Sequence, residues 1–152
     1  MNEQSSLTIR RGIAADLEAI AELFDGYRRF YEQPADLESA RRFIQARLQA
    51  GDSVILVAER AGQLVGFTQL YPSFSSLSMK RVWILNDLFV ATEHRRGGLG
   101  QALMAAAEGY ARETAAKGLV LATQKANASA KALYEGRGWK LDQVFDHYHR
   151  FF

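Results

Sequence analysis

Cysteine is absent from the 152 residues, which removes disulfide cross-links, thiolate metal sites and thiol nucleophiles together. No apolar run approaches the roughly 20 residues of a membrane-spanning helix. The start, Met1 to Ser6, is polar, so neither a signal peptide nor a membrane anchor is expected, and a soluble cytoplasmic protein is the consequent expectation. Histidine is scarce: His94, His147 and His149 are the only three. The last two stand two apart, but no carboxylate motif completes a ligand set, so no metal site is expected. The net charge of +2 is mild, while a pI near 9.0 leaves room for an anionic ligand or a nucleic-acid partner. With 48% hydrophobic and 24% charged residues, the chain reads as an ordinary globular protein. Length, and the lack of repeats or linkers, point to one domain over residues 1–152.

In chain order, Leu7-Thr8-Ile9-Arg10 alternates as an edge strand. Leu17, Ile20, Phe24, Tyr27 and Tyr31 then repeat at helical spacing after Asp16 as a cap candidate, until Pro34 forces a break. A second helix is predicted from Asp36 through Leu37, Ala40, Ile44 and Leu48 to Gly51. Ser53 to Glu59 and Leu64 to Leu70 read as a hairpin. The serine-rich stretch from Tyr71 to Arg81, with Pro72, reads as a surface loop exposing Phe74, Leu77 and Met79, or as a partner-contact segment. Val82 to Val90 is apolar at nearly every position and belongs at the sheet centre, covered on both faces. A helix with Leu99, Leu103, Ala106, Ala107, Tyr110 and Thr114 on one face, ending at Gly118, and a buried strand Leu119 to Thr123 complete a βαβ unit, predicting parallel strands. Asn127 to Glu135 reads as a short capped helix, and Trp139 to Leu141 and His147 to Phe152 as two final strands. The expected fold class is α/β, with a mixed sheet of six to seven strands in the order β-α-α-β-β-β-α-β-α-β-β.

Between the central strand and its helix lies Arg95-Arg96-Gly97-Gly98-Leu99-Gly100. Glycines at a helix start leave backbone N–H groups uncrowded at the positive end of the helix dipole, so the turn suits an anion, with phosphate the obvious guest. A P-loop would need Lys-Ser/Thr after Gly100, where Gln101 and Ala102 stand. A Rossmann turn would need a small residue where Leu103 stands, and glycines directly after the strand. Neither spelling fits.

The spelling that fits is Arg/Gln-x-x-Gly-x-Gly/Ala, met by Arg95, Gly98 and Gly100 after Leu88-Phe89-Val90. Here the chain resembles the GCN5-related N-acetyltransferase (GNAT) superfamily. A second segment, Asn127-Ala128-Ser129-Ala130-Lys131-Ala132-Leu133-Tyr134-Glu135-Gly136-Arg137-Gly138-Trp139, is similar to that family's Asn-x-x-Ala-x-x-Leu-Tyr-x-x-x-Gly-Phe, with Trp139 in place of Phe. The resemblance runs through the whole element order, with a leaning towards the diamine, polyamine and histone-type members. It implies acetyl-coenzyme A as cofactor, coenzyme A as product and an amine as acceptor. The pyrophosphate would rest on N–H groups from Arg96, Gly97, Gly98, Leu99, Gly100 and Gln101. The pantetheine arm would lie along Leu88, Phe89 and Val90, where the family's central strand splays from its parallel neighbour; Asn127, Ser129, Ala130 and Lys131 would add to the cofactor site.

By the same resemblance Tyr134 places a phenol near the sulfur as general acid, against the plainer reading of a packed ring. Asp87 stands in an apolar strand and should be either hydrogen-bonded structurally or turned to the cleft as base. The diamine and polyamine members carry an acidic pair where this chain has Asn86-Asp87, so Asn86 is no base and Asp87 or an ordered water must accept the proton. The family's acceptor region corresponds to Tyr27, Tyr31 and Glu32, an aromatic and acidic lining suited to a cation, although a plain helix end would read alike. The implied acceptor is a small-molecule amine or a peptide amine, with no membrane or nucleic-acid partner and with apolar tail and loop residues offering a homodimer contact. Two other readings remain open: a coenzyme A-binding regulatory module without turnover, and an RNA- or ribosome-associated protein suggested by the basic pI and the arginine pair.

Overall fold

The computed structural model describes residues 6–152; the polar stretch from Met1 to Ser5, part of the signal-peptide reading, lies outside the described residues. The chain divides into two compact units, Met1–Ala122 and Thr123–Phe152, each described by itself. No helix among the described residues is long and apolar enough to cross a membrane.

In the first unit a five-stranded sheet runs in the order β1-β2-β3-β4-β5, with β1 Leu7–Arg11, β2 Val54–Arg60, β3 Gln63–Ser75, β4 Lys80–Val90 and β5 Gly118–Val120. The first four strands pair antiparallel and β5 joins β4 in parallel. α1 (Leu17–Phe30) and α2 (Leu37–Ala50) connect β1 to β2, and α3 (Leu99–Glu113) makes the crossover to β5. Asp36 caps α2 by accepting from Ser39 N at 3.1 Å, and left-handed Gly51 ends it. Asp16 does not cap α1 with its side chain; it accepts instead from Ile13 N and from Arg10. Ile20, Phe24 and Ile44 of α1 and α2 pack on Ile55, Val57 and Phe67. On the opposite face, Leu99 and Leu103 of α3 pack with Ala58 and Val65.

Two further sequence expectations fail in this unit. The stretch from Tyr71 to Arg81 is no loop: β3 and β4 extend through it, and Ser75 pairs with Lys80. Pro72 is tolerated because β2 ends at Leu70 in the register, so its missing N–H faces no partner strand there. Arg81 also clamps the hairpin, its guanidinium 4.2 Å from the Phe74 ring centre. Phe74, Leu77 and Met79 are exposed, as expected. The strand expected over Leu119 to Thr123 contracts to Gly118–Val120, and Val120 is exposed rather than buried.

The second unit holds α4, Ala128–Gly136, whose N-cap Asn127 accepts from Ala130 N at 3.2 Å. The two tail strands do not form, so the described residues carry five strands rather than six or seven. Between the two expected segments Asp142 Oδ1 accepts from Val144 N at 2.9 Å and Phe145 N at 3.0 Å, a local side-chain turn. Leu141, Val144, Tyr148 and Phe151 are exposed, so the segments read as strands have no buried face.

Gly66 marks the closest approach in the sheet: an added Cβ would stand 2.9 Å from the Phe89 carbonyl oxygen and 3.3 Å from Leu103 Cδ1. Gly66→Val should therefore lower the unfolding free energy by about 2 kcal/mol through overpacking. A urea melt showing an unchanged midpoint would contradict the contact.

Candidate active site

β4 serves two helix layers, and its side chains change allegiance partway along. Trp83 Nε1 donates to Thr114 Oγ1 at the end of α3, at 2.9 Å. Strict alternation would then send the odd-numbered residues to α3. Yet Leu88 and Val90 pack with Leu99 and Leu103 of α3, and Phe89 packs with the α1 and α2 cluster. The switch is a bulge. Gln69 pairs with Asp87 while the next residue, Leu70, pairs with Leu85, so Asn86 is extra. The added residue turns Asp87 to the α1 face, away from α3.

Asp87 is 3% exposed. Its Oδ2 accepts from Gln69 Nε2 at 2.6 Å and its Oδ1 from Asn86 Nδ2 at 3.0 Å. Tyr27 of α1 is a third partner, and its hydroxyl also donates to the Asn86 carbonyl at 3.3 Å. Burial pushes the Asp87 carboxyl up, and the hydrogen bonds from Gln69, Asn86 and Tyr27 oppose that rise without cancelling it. Nearby, the Tyr71 phenol is pushed up to about 12, by burial first and by the Asp87 charge second. A carboxyl so placed holds a proton more readily than a surface one, which suits exchange with an amine.

Beyond this point β4 is open on one side. β5 pairs only with Val82, Trp83 and Ile84, so Leu88, Phe89 and Val90 have β3 on one side and no β5 partner on the other. Arg95 sits at the end of this stretch, with Nε donating to the Val90 carbonyl at 3.0 Å and the guanidinium 5.3 Å and 5.4 Å from the ring centres of Phe30 and Phe89. That places Arg95 against the strand rather than wholly on the turn. Arg96 has φ +66° and Gly98 +79°, and these two left-handed residues turn the chain into α3. No side chain caps that helix, and its geometry leaves the Leu99 and Gly100 N–H groups without an intrahelical acceptor. A Cβ on Gly98 would meet no atom within 4 Å. Such a bare, donor-rich turn is chemically suited to a pyrophosphate.

Of the expected acceptor residues, Tyr27 lies against β4 as described and Tyr31 stacks edge-on to it, ring centres 5.1 Å apart. Glu32 follows the helix end, exposed, with φ +63°. The structure thus brings Tyr27, Asn86 and Asp87 together. The residues of the second motif are described within their own unit. There Asn127 Oδ1 accepts from Ala130 N and from Ser129 Oγ, Lys131 N donates to the Asn127 carbonyl, and the Tyr134 ring lies 6.2 Å from that of Trp139.

Sequence reasoning missed Gln69 and Ser53. Gln69 is fully buried and Ser53 is 8% exposed; Ser53 Oγ donates to Gln69 Oε1 at 2.9 Å. The available signal was Thr68-Gln69, a polar pair inside an apolar strand, which has to find partners.

The chain matches the acetyltransferase (GNAT) family over residues 17–139. It is 50% identical to the N-acetyltransferase YhfO of Bacillus subtilis over 142 residues, 93% of this chain and 95% of that one. Among solved structures, a probable acetyltransferase superposes with a TM-score of 0.92 at 42% identity, covering 95% of this chain and 97% of the other. The aminoglycoside N-acetyltransferase AAC(6')-Iy, solved with CoA, shares the fold at a TM-score of 0.81 and 18% identity, covering 99% and 98%.

Carbon-13 titration of the carboxyl groups should give Asp87 a midpoint above the ordinary aspartate value of about 3.9 and Asp16, held by Arg10, a midpoint below it. A folded-state pKa above the unfolded one makes the Asp87 contribution greatest below the unfolded pKa and shrinks it as pH rises through the folded value. An Asp87 midpoint at or below that of Asp16 would refute the burial argument.

Proposed function

The chain belongs to the acetyltransferase (GNAT) family and is an N-acetyltransferase, and from that premise we propose that it carries acetyl from acetyl-coenzyme A to a primary amine by direct attack in a ternary complex. The thioester supplies an activated acetyl group: a C–N bond forms, the C–S bond breaks, and the amine loses a proton as the thiolate gains one. Asp87 takes the amine proton and Tyr134 supplies the proton for the thiolate. Arg96 to Gln101 hold the pyrophosphate, and Leu88, Phe89 and Val90 bond the pantetheine arm with backbone groups that β5 leaves open. Asn127, Ser129, Ala130 and Lys131 complete the cofactor site, and residues 1–152 act as one catalytic domain.

The observation that carries this reading is the buried Asp87 carboxylate, turned by the Asn86 bulge to the α1 face of the strand whose last three residues have no β5 partner. Tyr27, Tyr31 and Glu32 on that face suit a cationic amine, small molecule or peptide. The exposed Phe74, Leu77 and Met79 of the β3–β4 hairpin support a homodimer contact.

A thiol-release screen with acetyl-coenzyme A over diamines, polyamines, amino acids and lysine peptides should find turnover with at least one primary amine. With the best amine, Asp87→Asn should lower kcat/KM by about 10²–10⁴-fold. Tyr134→Phe should lower kcat while leaving coenzyme A affinity intact; an unchanged kcat with chemistry rate-limiting would remove Tyr134 from its role. Gly98→Val should abolish coenzyme A binding measured calorimetrically, because the side chain fills the anion's approach and strains a residue at φ +79°. Normal affinity in that variant would move the pyrophosphate elsewhere.

A further inference from the structure

Asp87 receives two side-chain donors on its own oxygens from the sheet, and they differ in kind. Asn86 is exposed, so water competes for its amide. Gln69 is fully buried and makes the shorter bond, 2.6 Å against 3.0 Å. An amide side chain can present either end to a neighbour, and an ionised carboxylate, which can only accept, takes the N–H end. The Ser53 hydroxyl, donating to Gln69 Oε1 at 2.9 Å, occupies the oxygen end and leaves Nε2 to face Asp87. Were Asp87 protonated, its O–H could claim Gln69 Oε1 and the amide could turn over, with Ser53 then accepting. Ser53 and Gln69 thus form a directed line of hydrogen bonds ending on the carboxylate. Thr68 anchors the same residue from behind, its Oγ1 donating to the Asp87 carbonyl at 2.8 Å.

We propose that Gln69 is a positioning residue of the transfer reaction: with its amide set by Ser53, it keeps the Asp87 carboxylate ionised and turned to the α1 face. The inference rests on Asp87 acting as the base. The other groups facing Asp87 are Tyr27 from α1, Asn86 from β4 and Tyr71 from β3; Arg47 and Asp52 act on Tyr71. The Tyr71 phenol, pushed up to about 12, holds its proton at neutral pH, and Gln69 is the fully buried amide in the sheet whose orientation tracks the charge on Asp87.

The test compares Gln69→Met, Ser53→Ala, Ser53→Thr and Asp87→Asn. Carbon-13 titration of Asp87 needs no acceptor. In Gln69→Met its midpoint should move alkaline by about one pH unit, since a donor to the charged form is gone. Ser53→Ala should move it less, and Ser53→Thr should restore it. The acidic limb of kcat/KM, followed by thiol release with the best amine of the screen, should move in step, because the base works deprotonated. An Asp87 midpoint or acidic limb unmoved in a folded Gln69→Met overturns the inference, and Ser53→Ala decides alone if that variant does not fold. Loss of the limb in Asp87→Asn alongside an unmoved limb in Gln69→Met overturns the positioning role but keeps the base. An unchanged profile in Asp87→Asn overturns the base reading, and the inference with it.

Discussion

A carboxyl group shut away from water at the centre of a sheet has to be both supplied with donors and aimed, and the two demands are met by neighbouring residues of adjacent strands. The Asn86 bulge aims Asp87. Gln69, Asn86 and Tyr27 supply the donors, and Gln69 draws on Ser53 in turn. Removing one donor from such a set costs more than the bond itself is worth, because the group left behind keeps its desolvation penalty. The buried polar residues of β3 are therefore intelligible only with Asp87 in place. Burial still wins over the donors, leaving a carboxyl that holds its proton longer than one in water.

The same strand is paired unequally on its two sides. On the β3 side β4 is paired from Lys80 to Val90, which keeps its apolar residues in register with the layers above and below. On the β5 side pairing stops at Ile84. The open backbone beyond would be costly if it faced nothing, and a peptide-like ligand arm offers the matching donors and acceptors. Arg95 meets part of that demand in the free chain by bonding the Val90 carbonyl.

Local signals in the sequence were reliable where one residue decides one event. Asp36 and Gly51 bound α2, Asn127 caps α4, and the Gly98 and Gly100 spelling pointed to the turn before α3. Signals that needed a partner were not readable. The strand character of Tyr71 to Ser75 comes from β4 across the hairpin, and Pro72 with four serines concealed it. The tail segments Trp139 to Leu141 and His147 to Phe152 are rich in apolar and aromatic residues, but Leu141, Tyr148, Phe151 and Phe152 are exposed and no partner strand among the described residues pairs with them. Asp87 could be singled out because a lone acid in an apolar run has to be explained. The Asn86 bulge could not, since an extra residue exists only relative to the strand opposite, and the part played by Ser53 and Gln69 depends on a pairing across that bulge.

The unequal ladders have a mechanical corollary. β4 is joined to β3 by ten registered residue pairs and to β5 by three. β4 follows β3 through a tight turn, whereas β5 returns only after a full helix, so its few bonds repay a longer loop closure. Under tension or thermal agitation the sheet has a built-in tear line along β4, one that parts α3 and β5 from the strands before them while the four-stranded antiparallel block stays whole.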